Sequence, residues 1–186
     1  MPQSVDVRAV VIQGLFILVI CAIIEILAGS VLEGMKERVT VTLPGLILII
    51  PPLLDLRGNV NGALASRLGT ALHTGILEPK LSMTDELKVN VISSLILNLA
   101  ASATIGLIAS LIGLVLGMGA INFVSLIIIA VAAGFISGVI LTALTIFISV
   151  FSYVRGWDPD NITAPLMATI GDLITMISIF IVVLFV

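Results

Sequence analysis

A single carboxylate, Asp172, lies in the middle of the last long apolar segment, and no charged residue follows it. A carboxylate at the centre of a membrane helix costs about 2.5–3.5 kcal/mol on insertion scales, so a chain keeps one where it faces a partner, a cavity or an ion. Thr169 and Thr175 lie three residues away on either side, which predicts one helix face. Oxygen ligands of this kind suit hard divalent cations such as Mg²⁺ and Ca²⁺.

A second polar group interrupts an otherwise apolar segment at residues 51–62, PPLLDLRGNVNG. Two prolines remove two backbone donors, and two glycines tolerate non-helical dihedral angles. We therefore expect a broken second helix, because unwound backbone at membrane depth is tolerated where it is buried in protein or lines a wet cavity. A proline kink is the plainer alternative. The polar residues are Asp55, Arg57, Asn59 and Asn61, and Arg57 is expected to pair with Asp55 or a neighbouring carbonyl group.

Three further patterns have both a structural and a functional interpretation. Asn98 belongs to a stripe of polar residues with period four. Such a stripe either forms hydrogen bonds between helices or lines a pathway, and the sequence supports the two interpretations about equally. Apart from Arg8 at its start, Glu25 is the one charge inside the first segment, and it is either a pathway residue or a carboxyl group near the interface. Gly134 and Gly138 form a small-xxx-small pattern that predicts close helix packing. The stripe consists of Asn90, Ser94, Asn98 and Ser102.

The elements that must position these residues are membrane helices. Hydrophobic residues make up 60% of the 186 residues and charged residues 10%, against about 45–50% and about 25% in soluble domains. Apolar runs long enough to cross a bilayer recur along the chain. We predict an all-α, polytopic membrane domain that comprises residues 1–186. Its five transmembrane spans run over about 7–32, 43–75, 86–116, 121–154 and 160–186.

The linkers set the orientation and one helix start. Ser82 or Thr84 is expected to cap the third helix. Basic residues favour a multi-pass protein of the cell membrane with a cytoplasmic N-terminus and an outer C-terminus. Five is an odd number of spans, which leaves no room for an inverted repeat in one chain. A symmetric pathway would therefore need a second copy, so a homodimer in the lipid bilayer is expected.

Several function classes are excluded or disfavoured. The chain has no GxSxG, no HExxH and no glycine loop for phosphate, so an enzyme is not expected. Cys21 is the one cysteine, which excludes an intrachain disulfide and a cysteine-rich metal site. A net charge of −3 and the lack of a basic stretch argue against nucleic acid. No organic cofactor is expected.

Two long segments resemble the signatures of a known family. Residues 51–70, PPLLDLRGNVNGALASRLGT, resemble the second-helix signature of the MgtE magnesium transporters and of their eukaryotic relatives, solute carrier family 41. Residues 158–175, DPDNITAPLMATIGDLIT, resemble the fifth-helix signature of the same family. The resemblance implies a five-helix membrane domain, a homodimer, and an ion pathway near the dimer interface lined by helices 2 and 5.

The resemblance also implies roles for individual residues. Asp172 would bind the hydrated magnesium ion, and Gly58 and Asn59 would lie along the same path. Asp55 stands where the family pattern leads us to expect a small residue. The N-terminal helical domain and the paired CBS domains of the bacterial members have no counterpart in this sequence.

Together these observations predict transport of a divalent cation, with Mg²⁺ as the transported ion and with Asp172 and Asn59 as its metal-binding residues. The alternatives are a sodium- or proton-coupled divalent cation exchanger and a non-transporting membrane subunit. The residues expected to line the pathway are Gly58, Asp55, Thr169, Thr175, Asn98 and Glu25.

Overall fold

The computed structural model describes residues 7–80, 82–117, 123–156 and 159–186, and these form helices and turns without a β-strand. The predicted all-α class is therefore confirmed. Within the described residues the helices are α1 (Val7–Gly34), a short π-helix (Arg38–Thr42), α2 (Leu46–His73), α3 (Asp85–Val115), α4 (Phe123–Val154) and α5 (Pro159–Val183).

Three of the described helical segments are long and apolar enough to cross a membrane, namely Asp85–Val115, Phe123–Val154 and Pro165–Val183. The count of five membrane spans stays a prediction. The five long helices fall within the five predicted spans to within a few residues, except that α1 continues to Gly34. The predicted start of the fourth span, at Ile121, lies outside the described residues.

Local chemistry explains where α3 begins and ends. Thr84 caps it, since its hydroxyl oxygen accepts a 3.3 Å hydrogen bond from the backbone N–H of Leu87. Asp85 and Glu86 follow in the first turn, where a negative charge favours the helix dipole. At the other end Gly117 adopts a φ of 66°, a left-handed conformation that stops a helix at little steric cost. Of the two predicted caps, the structure uses Thr84.

The second helix is not broken, contrary to expectation. α2 is a continuous α-helix from Leu46 to His73, with Pro51 and Pro52 inside it. Both prolines lie in its first two turns, so the two lost backbone donors fall near the helix start. Gly58 and Gly62 are not among the described glycines with positive φ, so they do not interrupt the helix either.

α2 lies at the centre of the bundle, where it packs against α3, α4 and α5. α4 also packs against α3 and α5, whereas α1, in its described part, contacts only α5 among the long helices. Small residues allow this close packing, because a Cβ atom placed on Gly106 of α3 would lie 2.9 Å from the Cα atom of Ile127 on α4. α1 is thus peripheral, and those of its apolar side chains that the structure describes are largely exposed in the single chain.

Candidate cation site between three helices

Two polar residues lie one turn apart on the exposed face of α2. The side-chain amide of Asn59 donates a 2.8 Å hydrogen bond to the Oδ2 atom of Asp55. Both side chains are exposed in the single chain. Because Asn59 donates through its nitrogen, its carbonyl oxygen stays available as a ligand beside the Asp55 carboxylate.

Asp172 approaches this pair from α5. Its side chain is half-buried, and the side chain of Glu25 on α1 lies close to it. Asp55 lies near enough to Asp172 for their charges to repel. Three helices therefore bring Glu25, Asp55 and Asp172 together, and we call these three residues the acidic cluster. Asn59 lies next to the acidic cluster, because it is hydrogen-bonded to Asp55.

The acidic cluster does not form a complete metal site in one chain. Among the described residues, no three His, Cys, Asp or Glu side chains are spaced to hold a metal ion together. Carboxylates that do not close around a bare ion suit an ion that keeps part of its water. Magnesium has that habit, since it dehydrates reluctantly and often keeps several waters when bound.

The two threonines that flank Asp172 in sequence are buried. The Thr169 hydroxyl donates a 3.1 Å hydrogen bond to the backbone oxygen of Pro165, in its own helix. The Thr175 hydroxyl is buried without a hydrogen-bond partner in the described part of the chain. Neither hydroxyl is bonded to Asp172. Gly58 is half-buried and faces α5, where an added Cβ would lie 3.9 Å from that of Ala168.

Asn98 lies elsewhere, on the opposite side of α2. It is buried on α3, and its side-chain oxygen accepts a hydrogen bond from the guanidinium group of Arg57. A second nitrogen of Arg57 donates to the Ser102 hydroxyl at 3.2 Å. This placement favours the interhelical interpretation of Asn98 over pathway lining. Of the two partners expected for Arg57, Asp55 is wrong, because Arg57 faces α3 and α4 and donates to the side-chain carbonyl oxygen of Asn98.

The same arrangement recurs farther along the two helices. Arg67 donates to Asn90 at 2.9 Å through Nε and to Ser94 at 3.3 Å through Nη2. Two arginines of α2 thus bind the whole polar stripe of α3 in an antiparallel register. We call these four hydrogen bonds between α2 and α3 the ladder. Sequence reasoning missed it, although two arginines ten residues apart, opposite a polar stripe of period four, are a usable signal.

Glycines on the neighbouring helices make room for the buried end of the ladder. A Cβ atom on Gly134 of α4 would lie 2.1 Å from the Ser102 hydroxyl oxygen, and one on Gly138 would lie 3.2 Å from the Asn98 Cβ atom. On α5, a Cβ atom on Gly171 would lie 3.2 Å from that of Arg57. The predicted packing role of Gly134 and Gly138 is confirmed. The residue beside Gly171 is Asp172, so the ladder and the acidic cluster meet at this point of α5.

Comparison with known proteins supports the interpretation of these helices. The sequence profile of the MgtE family, described as a divalent cation transporter, matches residues 50–182. That range contains α2 from its second turn and almost all of α5, including Asp55, Asn59 and Asp172.

Curated relatives agree with the profile. The chain is 30% identical over 156 residues to solute carrier family 41 member 2 of Gallus gallus, which covers 80% of this chain and 26% of that protein. It is 33% identical over 138 residues to solute carrier family 41 member 3 of Rattus norvegicus, covering 70% and 29%. Homo sapiens member 2 is 29% identical over 156 residues. The chain therefore spans between a quarter and a third of the length of these relatives.

Since the profile match takes in most of the sequence and both polar segments of the bundle, this chain belongs to the MgtE family.

Proposed function

We propose that this chain transports a divalent cation across the membrane, with magnesium as its ion. The observation that carries the proposal is the meeting of Glu25, Asp55 and Asp172, from three different helices, in a largely apolar bundle. Carboxylates at such depth are costly unless they serve a partner or an ion. A cation supplies what the acidic cluster lacks, since it offsets the repulsion between the carboxylates.

Asp172 and Asn59 are the proposed metal-binding residues. The Asp172 carboxylate supplies charge, and the Asn59 carbonyl oxygen supplies a neutral ligand for water on the ion or for the ion itself. Asp55 and Glu25 line the approach, and α2 and α5 form the walls of the pathway. Because these groups do not close around an ion in one chain, binding stays weak enough for release, as conduction requires.

The proposed pathway is dimeric. The acidic cluster lies at an exposed face in the single chain, since both Asp55 and Asn59 are exposed there. A twofold axis beside this face would bring a second Asp172 toward the first, because an isologous interface pairs each residue with its own copy. Two such carboxylates would enclose a cation from both sides. The two chains share one orientation in this arrangement.

The proposed orientation has the N-terminus in the cytoplasm and the C-terminus outside. The guanidinium of Arg38, which follows α1, donates a 2.5 Å hydrogen bond to the backbone oxygen of Val183, at the end of α5. The end of α1 and the end of α5 thus lie on the same side of the bundle. With the basic residues Lys80, Lys88 and Arg155 at the other end, the positive-inside rule supports this assignment.

A second candidate function is exchange of the divalent cation for protons or sodium. The closeness of the Glu25 and Asp172 side chains favours it, because two neighbouring carboxylates repel each other and a proton on one of them relieves that repulsion. In this mechanism the divalent cation displaces that proton, and the proton returns when the ion leaves. A chain that keeps the fold without transporting anything is the third possibility.

Flux into proteoliposomes separates the three candidates. The purified chain is reconstituted, and magnesium uptake is followed with a fluorescent indicator inside the vesicles. Uptake driven by the magnesium gradient alone, and unchanged when pH and sodium gradients are collapsed, supports the channel. Uptake that stops when either gradient is collapsed supports the exchanger. Uptake no faster than in protein-free vesicles overturns both transport proposals.

A further inference from the structure

A cavity of about 270 Å³ lies beside the ladder, on the surface of the bundle between α2 and α3. Its lining combines a cation, a carboxylate, two hydroxyl groups, an amide and two apolar side chains, which are contributed by Arg67, Glu86, Ser66, Thr70, Asn90, Ala71 and Ile76. It belongs to neither the acidic cluster nor the helix contacts around Arg57. Its composition indicates a ligand with both charges.

Arg67 differs from Arg57 in the exposure of its guanidinium group. Within the described part of the chain, the side chains of both arginines donate to neutral Asn and Ser side chains of α3. Arg57 is fully buried, whereas Arg67 is exposed toward the cavity. Its Nε and one Nη2 proton bind α3, and the remaining guanidinium protons stay available to an anionic ligand, preferably a phosphate.

Glu86 supplies the opposite charge on the other wall. It lies in the first turn of α3, is exposed, and lines the cavity. Its only described hydrogen bonds are accepted from Asn90, one of them at 3.4 Å on the Oε1 atom, so the carboxylate keeps most of its acceptor capacity. A carboxylate in this place disfavours a ligand of net negative charge and attracts an ammonium group.

The cavity lies near one end of the bundle, by the last turns of α2 and the first turn of α3, where we expect the lipid headgroups. Arg67 lies six residues before the end of α2 at His73, a distance of about 9 Å along the helix axis. Glu86 lies at the start of α3, next to the polar loop. The headgroup layer is about 5–8 Å thick on each side of the hydrocarbon core. The exposed Ile76 gives the cavity an apolar margin for the start of an acyl chain.

We propose that this cavity binds the phosphoethanolamine headgroup of a membrane lipid. Arg67 donates to the phosphate, with the hydroxyls of Ser66 and Thr70 as further donors, and Glu86 accepts from the primary ammonium group. A choline headgroup fits less well, because its quaternary ammonium has no N–H to donate. An anionic headgroup without an amine would meet Glu86 unpaired. Bound lipid then fixes the α2–α3 pair at the end of the bundle opposite the Arg38–Val183 contact.

The test compares thermal unfolding of the full chain in nanodiscs. Phosphatidylethanolamine added to phosphatidylcholine discs is expected to raise the unfolding midpoint, since a ligand that binds only the folded state stabilises it. Arg67→Met and Glu86→Gln are each expected to lose most of that rise. Lys80→Met is the matched control. Lys80 is an exposed cation in the loop between α2 and α3, and it pairs with Glu78 and does not line the cavity. This variant should keep the full rise.

Three outcomes overturn the proposal. The first is no rise with phosphatidylethanolamine, or an equal rise in all three variants. The second is a larger rise with phosphatidylglycerol, which would assign the cavity to anionic lipids. The third is an equal rise when soluble phosphorylethanolamine is added to phosphatidylcholine discs, which would assign it to a free ester. Should Arg67→Met fail to fold because it loses the bonds to α3, Glu86→Gln decides alone, since it keeps an acceptor for Asn90.

Discussion

The guanidinium group of Arg57 donates a hydrogen bond to the side chain of Asn98, from the centre of α2 to the centre of α3. Arg57 therefore faces away from Asp55, which lies two residues earlier, on the exposed face of α2. A single helix thus separates a buried positive charge from a group of carboxylates. This separation keeps the arginine out of the proposed path, where it would repel a cation.

Removal of the Asn98 acceptor is expected to destabilise the bundle. Asn98→Leu leaves the buried Nη1 of Arg57 without its partner, and an unmet buried donor costs about 1–3 kcal/mol. Reversible unfolding by SDS in mixed micelles measures the loss. Thr104→Val is the control, because Thr104 is an exposed residue of the same helix that bonds only to its own backbone. An Asn98→Leu chain as stable as the control would contradict the ladder.

A methyl group on Gly134 should disturb the same place from the other side. Gly134→Ala puts a Cβ atom 2.1 Å from the Ser102 hydroxyl oxygen, so Ser102 must move, and we expect a loss of about 1–3 kcal/mol. Gly62→Ala meets no atom within 4 Å and should cost almost nothing. The double variant Gly134→Ala, Ser102→Gly should regain part of the loss. Equal unfolding curves for the two single alanine variants would refute the close contact of α3 and α4 here.

Asn59→Leu is expected to slow magnesium flux at least about tenfold, equivalent to about 1.4 kcal/mol on the barrier. The change removes the amide oxygen and the hydrogen bond to Asp55 while it keeps the size of the side chain. Flux is measured in proteoliposomes and the assembly state by light scattering after size-exclusion chromatography. Thr104→Leu introduces the same side chain far from the acidic cluster. If Asn59→Leu breaks the assembly instead, Asn59 packs between subunits and does not bind the ion.

Glu25→Gln separates the pathway and interface interpretations of that residue. The glutamine can still donate a hydrogen bond to Asp172 but removes one negative charge, so flux should fall several-fold while the chain stays folded. Glu33→Gln is the matched control on the same helix, since Glu33 is exposed and pairs with Lys36. In an exchanger, Glu25→Gln should also weaken the dependence of flux on a pH gradient. Equal flux in the two variants would remove Glu25 from the proposed pathway.

Sequence reasoning placed the helices well because their signals are local. The Thr84 cap and the apolar runs act within a few residues, and each carries its own physical cause. The break expected at residues 51–62 failed, because packing of α2 against three neighbours overrides the local preference of two prolines near the helix start. Whether all five helices span the bilayer depends on polar groups whose neighbours the sequence does not reveal.

The candidate site could be predicted in part, because some of its signals are also local. The anomaly of Asp172 and the polar residues of α2 pointed to positions that the fold brings near one another. The true partner of Arg57 could not be inferred, because it depends on how α2 is rotated between α3 and α5. The inward placement of Thr169 and Thr175 has the same origin. Residue spacing assigns side chains to one face of a helix, but it does not show which neighbouring helix that face contacts.

Asp172→Asn in the proteoliposome assay tests the central claim most directly. The substitution keeps the size of the side chain and one acceptor oxygen and removes the charge, so it should fold and assemble like the original chain. Magnesium flux should fall to nearly the level of protein-free vesicles, with the size-exclusion profile unchanged. Undiminished magnesium flux through a correctly assembled Asp172→Asn chain would contradict the account.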